Sequence, residues 1–125
     1  MTCDECILLV CENGNFWGFP KGRIEHAETP LDAAKREIIE ETGCREFTFA
    51  GKLGTYKRHP FTLQNTLDTS EIKEIRMFLF TAPSQKLHDH SELNIEGHWV
   101  TKQAVTELLT HPEDRAFYES IGDRL

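Results

Sequence analysis

The sequence predicts an α/β (α+β) fold, a curved mixed β-sheet covered by helices, and three observations predict it. Apolar stretches of strand length stand at residues 6–11, 71–81 and 98–100. A capped stretch with helical spacing follows the first of them, and two more helical stretches close the chain. The element order therefore mixes β and α, the pattern of a sheet layered with helices.

The first element, Cys6-Ile7-Leu8-Leu9-Val10-Cys11, is a continuous apolar run and reads as a buried strand. Asn13-Gly14-Asn15 signals a turn. Phe16-Trp17-Gly18-Phe19-Pro20 then brings aromatics into a loop ending at Lys21-Gly22, and a polar stretch leads to Thr29. Thr29-Pro30 opens a helix: Thr caps it, Pro suits its first position, and Asp32 adds negative charge to the first turn. The helix runs to about Thr42 and stops at Gly43. Leu31, Ala34 and Ile38 recur at helical spacing and predict one buried stripe.

Residues 46–56 and 71–81 read as strands. In the second, Ile72, Glu74, Arg76, Phe78 and Phe80 share one face, and Lys73, Ile75, Met77 and Leu79 the other. Residues 57–70 between them form a long polar connection, of a kind that is often functional in a small domain. Residues 98–100 make a short last strand, and 102–110 and 112–121 are helices. No repeat, low-complexity tract or linker interrupts the order, so residues 1–125 are expected to form a single domain.

The charge balance bounds the function. A formal net charge of −7 argues against non-specific binding to nucleic acid or anionic membranes. A polyphosphate substrate would then need metal ions and a few local cations to offset the repulsion. No apolar run approaches the roughly 18 residues of a membrane span. Met1-Thr2-Cys3-Asp4-Glu5 lacks the basic segment of a signal peptide, so a cytoplasmic location is expected. Cys3 and Cys6 form a C-x-x-C with no second pair at zinc spacing; with Cys11 and Cys44 they are expected to be reduced structural thiols. His88-Asp89-His90 reads as a solvated loop, not a second metal site, because no other ligand stands at useful spacing.

Chemistry concentrates on the capped helix. Glu37, Glu40 and Glu41 lie at i, i+3 and i+4, which puts their carboxylates on adjoining positions of one face. Such a cluster repels itself. Arg36 can pair with Glu40 but cannot neutralise all three. Three helical glutamates alone would be read as a solvated acidic face. Holding divalent cations makes better sense of them once their context is counted, and hard oxygen donors suit Mg²⁺ or Mn²⁺.

That context is Gly22, five residues, Glu28, seven residues, then Arg36-Glu37-Ile38-Ile39-Glu40-Glu41-Thr42-Gly43-Cys44. It resembles the Nudix box, G-x5-E-x7-R-E-U-x-E-E-x-G-U, where U is a bulky apolar residue. Every fixed position is satisfied, with Cys44 the mildest fit. Trp17-Gly18-Phe19-Pro20-Lys21-Gly22 is similar to the usual lead-in. The resemblance implies an α/β/α sandwich with a loop–helix–loop, and hydrolysis of a nucleoside diphosphate linked to another group. It implies that Glu37, Glu40 and Glu41 bind the metal with the Gly22 carbonyl, and that Arg36 orients the glutamates. Glu37 matches a residue that is sometimes the general base. Glu28 matches one that supports the loop or the metals. A further acid often precedes the last strand; Glu92 and Glu96 are the candidates, with Glu92 favoured.

The box implies the reaction and leaves the substrate to other residues. The lead-in is similar to those of diadenosine tetraphosphate hydrolases and mRNA-decapping enzymes, but the latter carry an extra helical domain and a basic RNA-binding helix. No basic stripe appears here. Lys21, Tyr56, Arg58 and Lys73 are the candidate substrate-binding residues: cations for phosphate, and Tyr56 or Phe61 for stacking on a base. Pro60 lies near a proline of ADP-ribose pyrophosphatases, among residues that otherwise differ from theirs. The resemblance also departs at the start, where relatives usually have an extra strand lining the nucleobase pocket. Only five residues precede Cys6 here, so either the sheet is trimmed, the strand is replaced or the start is incomplete, and the resemblance does not fix base specificity. The expected substrate is a small nucleotide, foremost a dinucleoside polyphosphate, with no stable nucleic-acid or membrane partner and a monomeric or homodimeric state. Alternatives are house-cleaning of nucleoside triphosphates, ADP-ribose hydrolysis, or a nucleotide-binding module without hydrolysis. Modules of the last kind typically lose box glutamates, and this chain keeps them.

Overall fold

The computed structural model describes residues 6–21, 25, 27–59, 72–83, 85–87, 95–122 and 125. Strand β1 (Cys6–Glu12) is the middle of a three-stranded antiparallel sheet, between β2 (Phe16–Gly18) and β5 (Ile95–Thr101). Flanked on both sides, it buries Leu9, Val10 and Cys11, which accounts for its continuous apolar run. Asn13 and Gly14 take the turn to β2 with φ of 53° and 78°, and Asn15 N donates to Glu12 O at 3.2 Å. Asn and Gly tolerate that left-handed backbone best. The aromatic tract thus begins as a short strand, where the sequence alone suggested a loop.

A second sheet pairs β3 (Thr48–Arg58) with β4 (Lys73–Thr81), also antiparallel. Register shifts interrupt the ladder between Phe49 and Gly51 and between Lys52 and Gly54. Gly51 and Gly54 stand there at φ of 143° and 134°, the bulge geometry that glycine permits. Both strands lie within two residues of the expected bounds at each end. Strand β5 is longer than expected because it continues through Gly97, whose role is packing.

Helix α1 (Pro30–Thr42) has the caps its sequence promises. Thr29 Oγ1 accepts from Asp32 N at 3.1 Å, Asp32 Oδ2 accepts from Thr29 N at 3.4 Å, and Gly43 at φ 81° donates to Ile39 O at 2.9 Å. Helices α2 (Lys102–Leu108) and α3 (Pro112–Ile121) follow β5 directly. Leu9, Phe19, Val105, Leu109 and Tyr118 form the main core between the first sheet and these two helices. Helix α1 packs on the other face of β5. There a β-carbon on Gly97 would come within 2.8 Å of Thr42 Cβ. Helices on both faces of the sheet give the α/β/α layering.

One expectation for α1 needs correction. Its buried residues are Ala33, Glu41 and Thr42. Leu31, Ala34 and Ile38 are only half-buried. Ala34 and Ile38 face an apolar cleft of about 470 Å³, lined also by Leu8, Met77, Phe78 and Trp99, which leaves that stripe incompletely covered. Cys11 and Cys44 are buried free thiols as expected, whereas Cys6 is disulfide-bonded, which corrects the reading of every cysteine as reduced.

Candidate functional site

Because caps fix both ends of α1, Glu37, Glu40 and Glu41 keep their helical spacing, but their surroundings differ sharply. Glu41 is 5% exposed, and its Oε2 accepts from the backbone N–H of Lys21 at 3.0 Å. Burial pushes its carboxyl up to about 8; the Lys21 N–H opposes this and the Glu37 charge adds to it. Glu37 is half-buried, and burial raises it too, against the pull of Arg36.

Arg36 is the hub. Its Nε and Nη2 donate to Glu28 at 2.8 and 3.1 Å, and its Nη1 donates to Glu37 Oε1 at 2.6 Å and Glu40 Oε2 at 3.0 Å. Glu25 lies 3.7 Å away. Hydrogen bonding, Glu28 first, holds the guanidinium well above its ordinary range and the Glu28 carboxyl below its own. Glu28 Oε1 also accepts from Glu25 N at 2.8 Å, so this glutamate braces the loop before α1.

Among the described residues, no three His, Cys, Asp or Glu side chains stand close enough together to cage a metal ion. Arg36 draws Glu37 and Glu40 toward itself, and Glu41 turns inward to Lys21. The donor chemistry still fits a hard divalent cation. The groups are all carboxylates on one helix, three acids against the single guanidinium of Arg36, and hard oxygen donors of this kind suit such an ion. Gly22 and Glu92 lie outside the described residues, as do Pro60, Phe61 and His88-Asp89-His90. Glu96 is on β5 beside His98, 3.5 Å from its Nε2. Since Gly97 faces Thr42, strand alternation points Glu96 away from α1.

Three of the four expected substrate residues fall near one buried network. Arg58 is 7% exposed and donates through Nη1 to Asp114 Oδ2 at 2.8 Å and to His111 Nδ1 at 3.0 Å. Tyr56 Oη donates to Asp114 Oδ1, and its ring stacks on Phe117 at 4.6 Å between centroids. Burial raises the Tyr56 hydroxyl and holds the His111 imidazole down at about 4, with the Arg58 charge adding to the latter. Burial and Arg58 also lower the Lys21 ammonium, with Asp114 and Glu41 opposing. Arg58 and Tyr56 are thus engaged inside the fold. Lys73 is exposed on β4, opposite Arg58 in the strand register. Asp114 and His111 were not anticipated. His111-Pro112 with Glu113 and Asp114 reads locally as an ordinary helix start, which hides a partner on β3.

The chain matches the NUDIX domain family over residues 2–121. It belongs to the Nudix family. Among its Nudix relatives, an RNA pyrophosphohydrolase of Sulfurovum sp. (strain NBC37-1) is 40% identical over 100 residues, covering 76% of this chain and 59% of that protein. The m7GpppN-mRNA hydrolase dcap-2 of Caenorhabditis elegans is 67% identical over 30 residues, 24% of this chain and 4% of its own. This chain therefore spans less than two-thirds of the length of either. Of solved structures, the MutT protein of Bacillus halodurans superposes with a TM-score of 0.63 at 24% identity, over 92% of this chain and 72% of its own, which shows the shared Nudix fold. Among the described residues no helix is long and apolar enough to cross a membrane.

Proposed function

We propose that this Nudix protein hydrolyses a diphosphate linkage in a nucleoside-linked polyphosphate, with Mg²⁺ or Mn²⁺ as its cofactor. The observation that carries the reading is the capped carboxylate helix, with Glu41 seated on the Lys21 N–H and Arg36 bridging Glu28, Glu37 and Glu40. Glu37, Glu40 and Glu41, with the Gly22 carbonyl, would hold the ion. When bound, it supplies charge neutralisation at the scissile phosphate and an acidified water. Glu37, half-buried and raised by burial against the pull of Arg36, is the candidate proton acceptor. Arg36 orients the glutamates, and Glu92 is the additional acid. Lys21, beside Glu41, and the exposed Lys73 are the candidate phosphate contacts, whereas Arg58 and Tyr56, bound to Asp114 inside the fold, back the substrate side from within.

The favoured substrate is a small dinucleoside polyphosphate, since a chain of net charge −7 offers no cationic track for a nucleic-acid backbone. A 5′-polyphosphorylated RNA end is the second reading, supported by the 40% identity to an RNA pyrophosphohydrolase. A substrate panel with Mg²⁺ and Mn²⁺ tests both. A dinucleoside polyphosphate should yield a mono- and a polyphosphate, whereas an RNA 5′ end or a nucleoside triphosphate yields pyrophosphate or phosphate, and ADP-ribose yields ribose phosphate. Glu40→Gln and Glu41→Gln should each lower kcat by about 100-fold or more. Nucleotide binding with no turnover on any substrate would instead indicate a binding module.

A further inference from the structure

The segment from Trp17 to Lys21 is gripped from two directions. On one side Glu41 accepts the Lys21 N–H at 3.0 Å. On the other, Trp17 N donates to Thr110 Oγ1 at 2.8 Å, and Thr110 N donates back to Trp17 O at 3.1 Å. The same C-terminal segment supplies Asp114, only 1% exposed. A β-carbon on Gly18 would lie 3.6 Å from Lys21 Nζ and 3.8 Å from Asp114 Oδ2, so the ammonium and the carboxylate pack over one glycine. Asp114 is itself fixed by Arg58 and Tyr56 from β3. A buried carboxylate held by two donors has little freedom, and it acts on the Lys21 ammonium across Gly18 by charge, without a direct ion pair.

We propose that Asp114 and Thr110 form a clamp that positions Lys21, and through its backbone N–H the Glu41 carboxylate, so that the C-terminal helices set the geometry of the carboxylate helix. Asp114 touches neither the reacting atoms nor the proposed metal; it is a positioning residue. The catalytic consequence rests on the proposed hydrolysis, but the structural coupling does not. Small displacements of a positioned group cost rate more than affinity, because the lost alignment is needed at the transition state.

The test is a ¹⁵N–¹H correlation spectrum of the full chain without metal, following the Lys21 amide, alongside steady-state kinetics with Mg²⁺. Asp114→Asn keeps the shape and removes the charge. Thr110→Val removes the acceptor for Trp17 N and is the deciding variant if Asp114→Asn does not fold. Glu107→Gln on α2 is the control. Both clamp variants should move the Lys21 amide away from its hydrogen-bonded position and lower kcat about 10- to 100-fold, with KM within about twofold. Folded clamp variants with an unmoved Lys21 amide would overturn the proposal. A moved amide in a protein whose parent shows no turnover would uphold the clamp and remove only the functional reading.

Discussion

At Glu41 the proposed metal role and the stability of the fold oppose each other. Its carboxyl is raised to about 8 in the fold, from an ordinary 4.5. A group raised on folding contributes stability below its unfolded value and loses it as pH climbs through the folded one. Without metal, Glu41 therefore weakens the fold progressively between about pH 4.5 and 8. Glu41→Gln keeps an acceptor for Lys21 N and removes the charge. Urea titrations without metal should find the two proteins alike near pH 5 and the variant roughly 1–2 kcal/mol more stable near pH 8, while its activity is lost. An unchanging gap across that range would refute the burial argument. His111 acts with the other sign: a base held down at about 4 withdraws stability as pH falls from 6.5 toward that value. The glutamates and Arg36 were legible because box residues lie within one helix and its loop. Asp114 was not, because its partner Arg58 stands 56 positions away and nothing local to either announces the pair.

At the scale of elements, the seat of α1 matters more than its propensity. Its caps were readable, since Thr29, Pro30, Asp32 and Gly43 act on backbone groups within a few residues. Its contact with β5 was not readable. Gly97 allows Thr42 to sit directly on the strand: an added β-carbon would meet Thr42 Cβ at 2.8 Å, Thr42 Cγ2 at 3.0 Å and Leu87 Cδ1 at 3.2 Å. Two of those atoms belong to a short branched side chain that cannot swing aside, so the helix must move. Gly97→Ala should destabilise the protein by about 1–3 kcal/mol and lower kcat, because the carboxylates travel with the helix. A melting temperature unchanged from the parent would show that the interface yields more easily than this packing implies. The same glycine explains why β5 looked shorter in the sequence, where it weakened the strand signal.

At the scale of the whole molecule, the proposed metal ties local charge to global stability. A cation that binds only the folded chain stabilises it by about 2.7 kcal/mol at 100 times its Kd. Thermal melts should rise with Mg²⁺ or Mn²⁺, fall back with a chelator, and stay flat for a variant carrying both Glu40→Gln and Glu41→Gln. A melting temperature indifferent to either ion would remove the basis for a metal site. A sheet covered by helices followed from element order, and the α/β/α layering from the resemblance of the box. The division into two antiparallel sheets did not, because pairing partners are set by contacts distant in sequence.

The cleft beside Ala34 and Ile38 has a consequence for wetting. A cleft of about 470 Å³ lined mainly by apolar side chains leaves carbon surface wetted in the folded chain. Ala34→Leu, which sets more carbon into that cleft, should therefore raise the melting temperature, and an unchanged melting temperature would show that the cleft has no room for it.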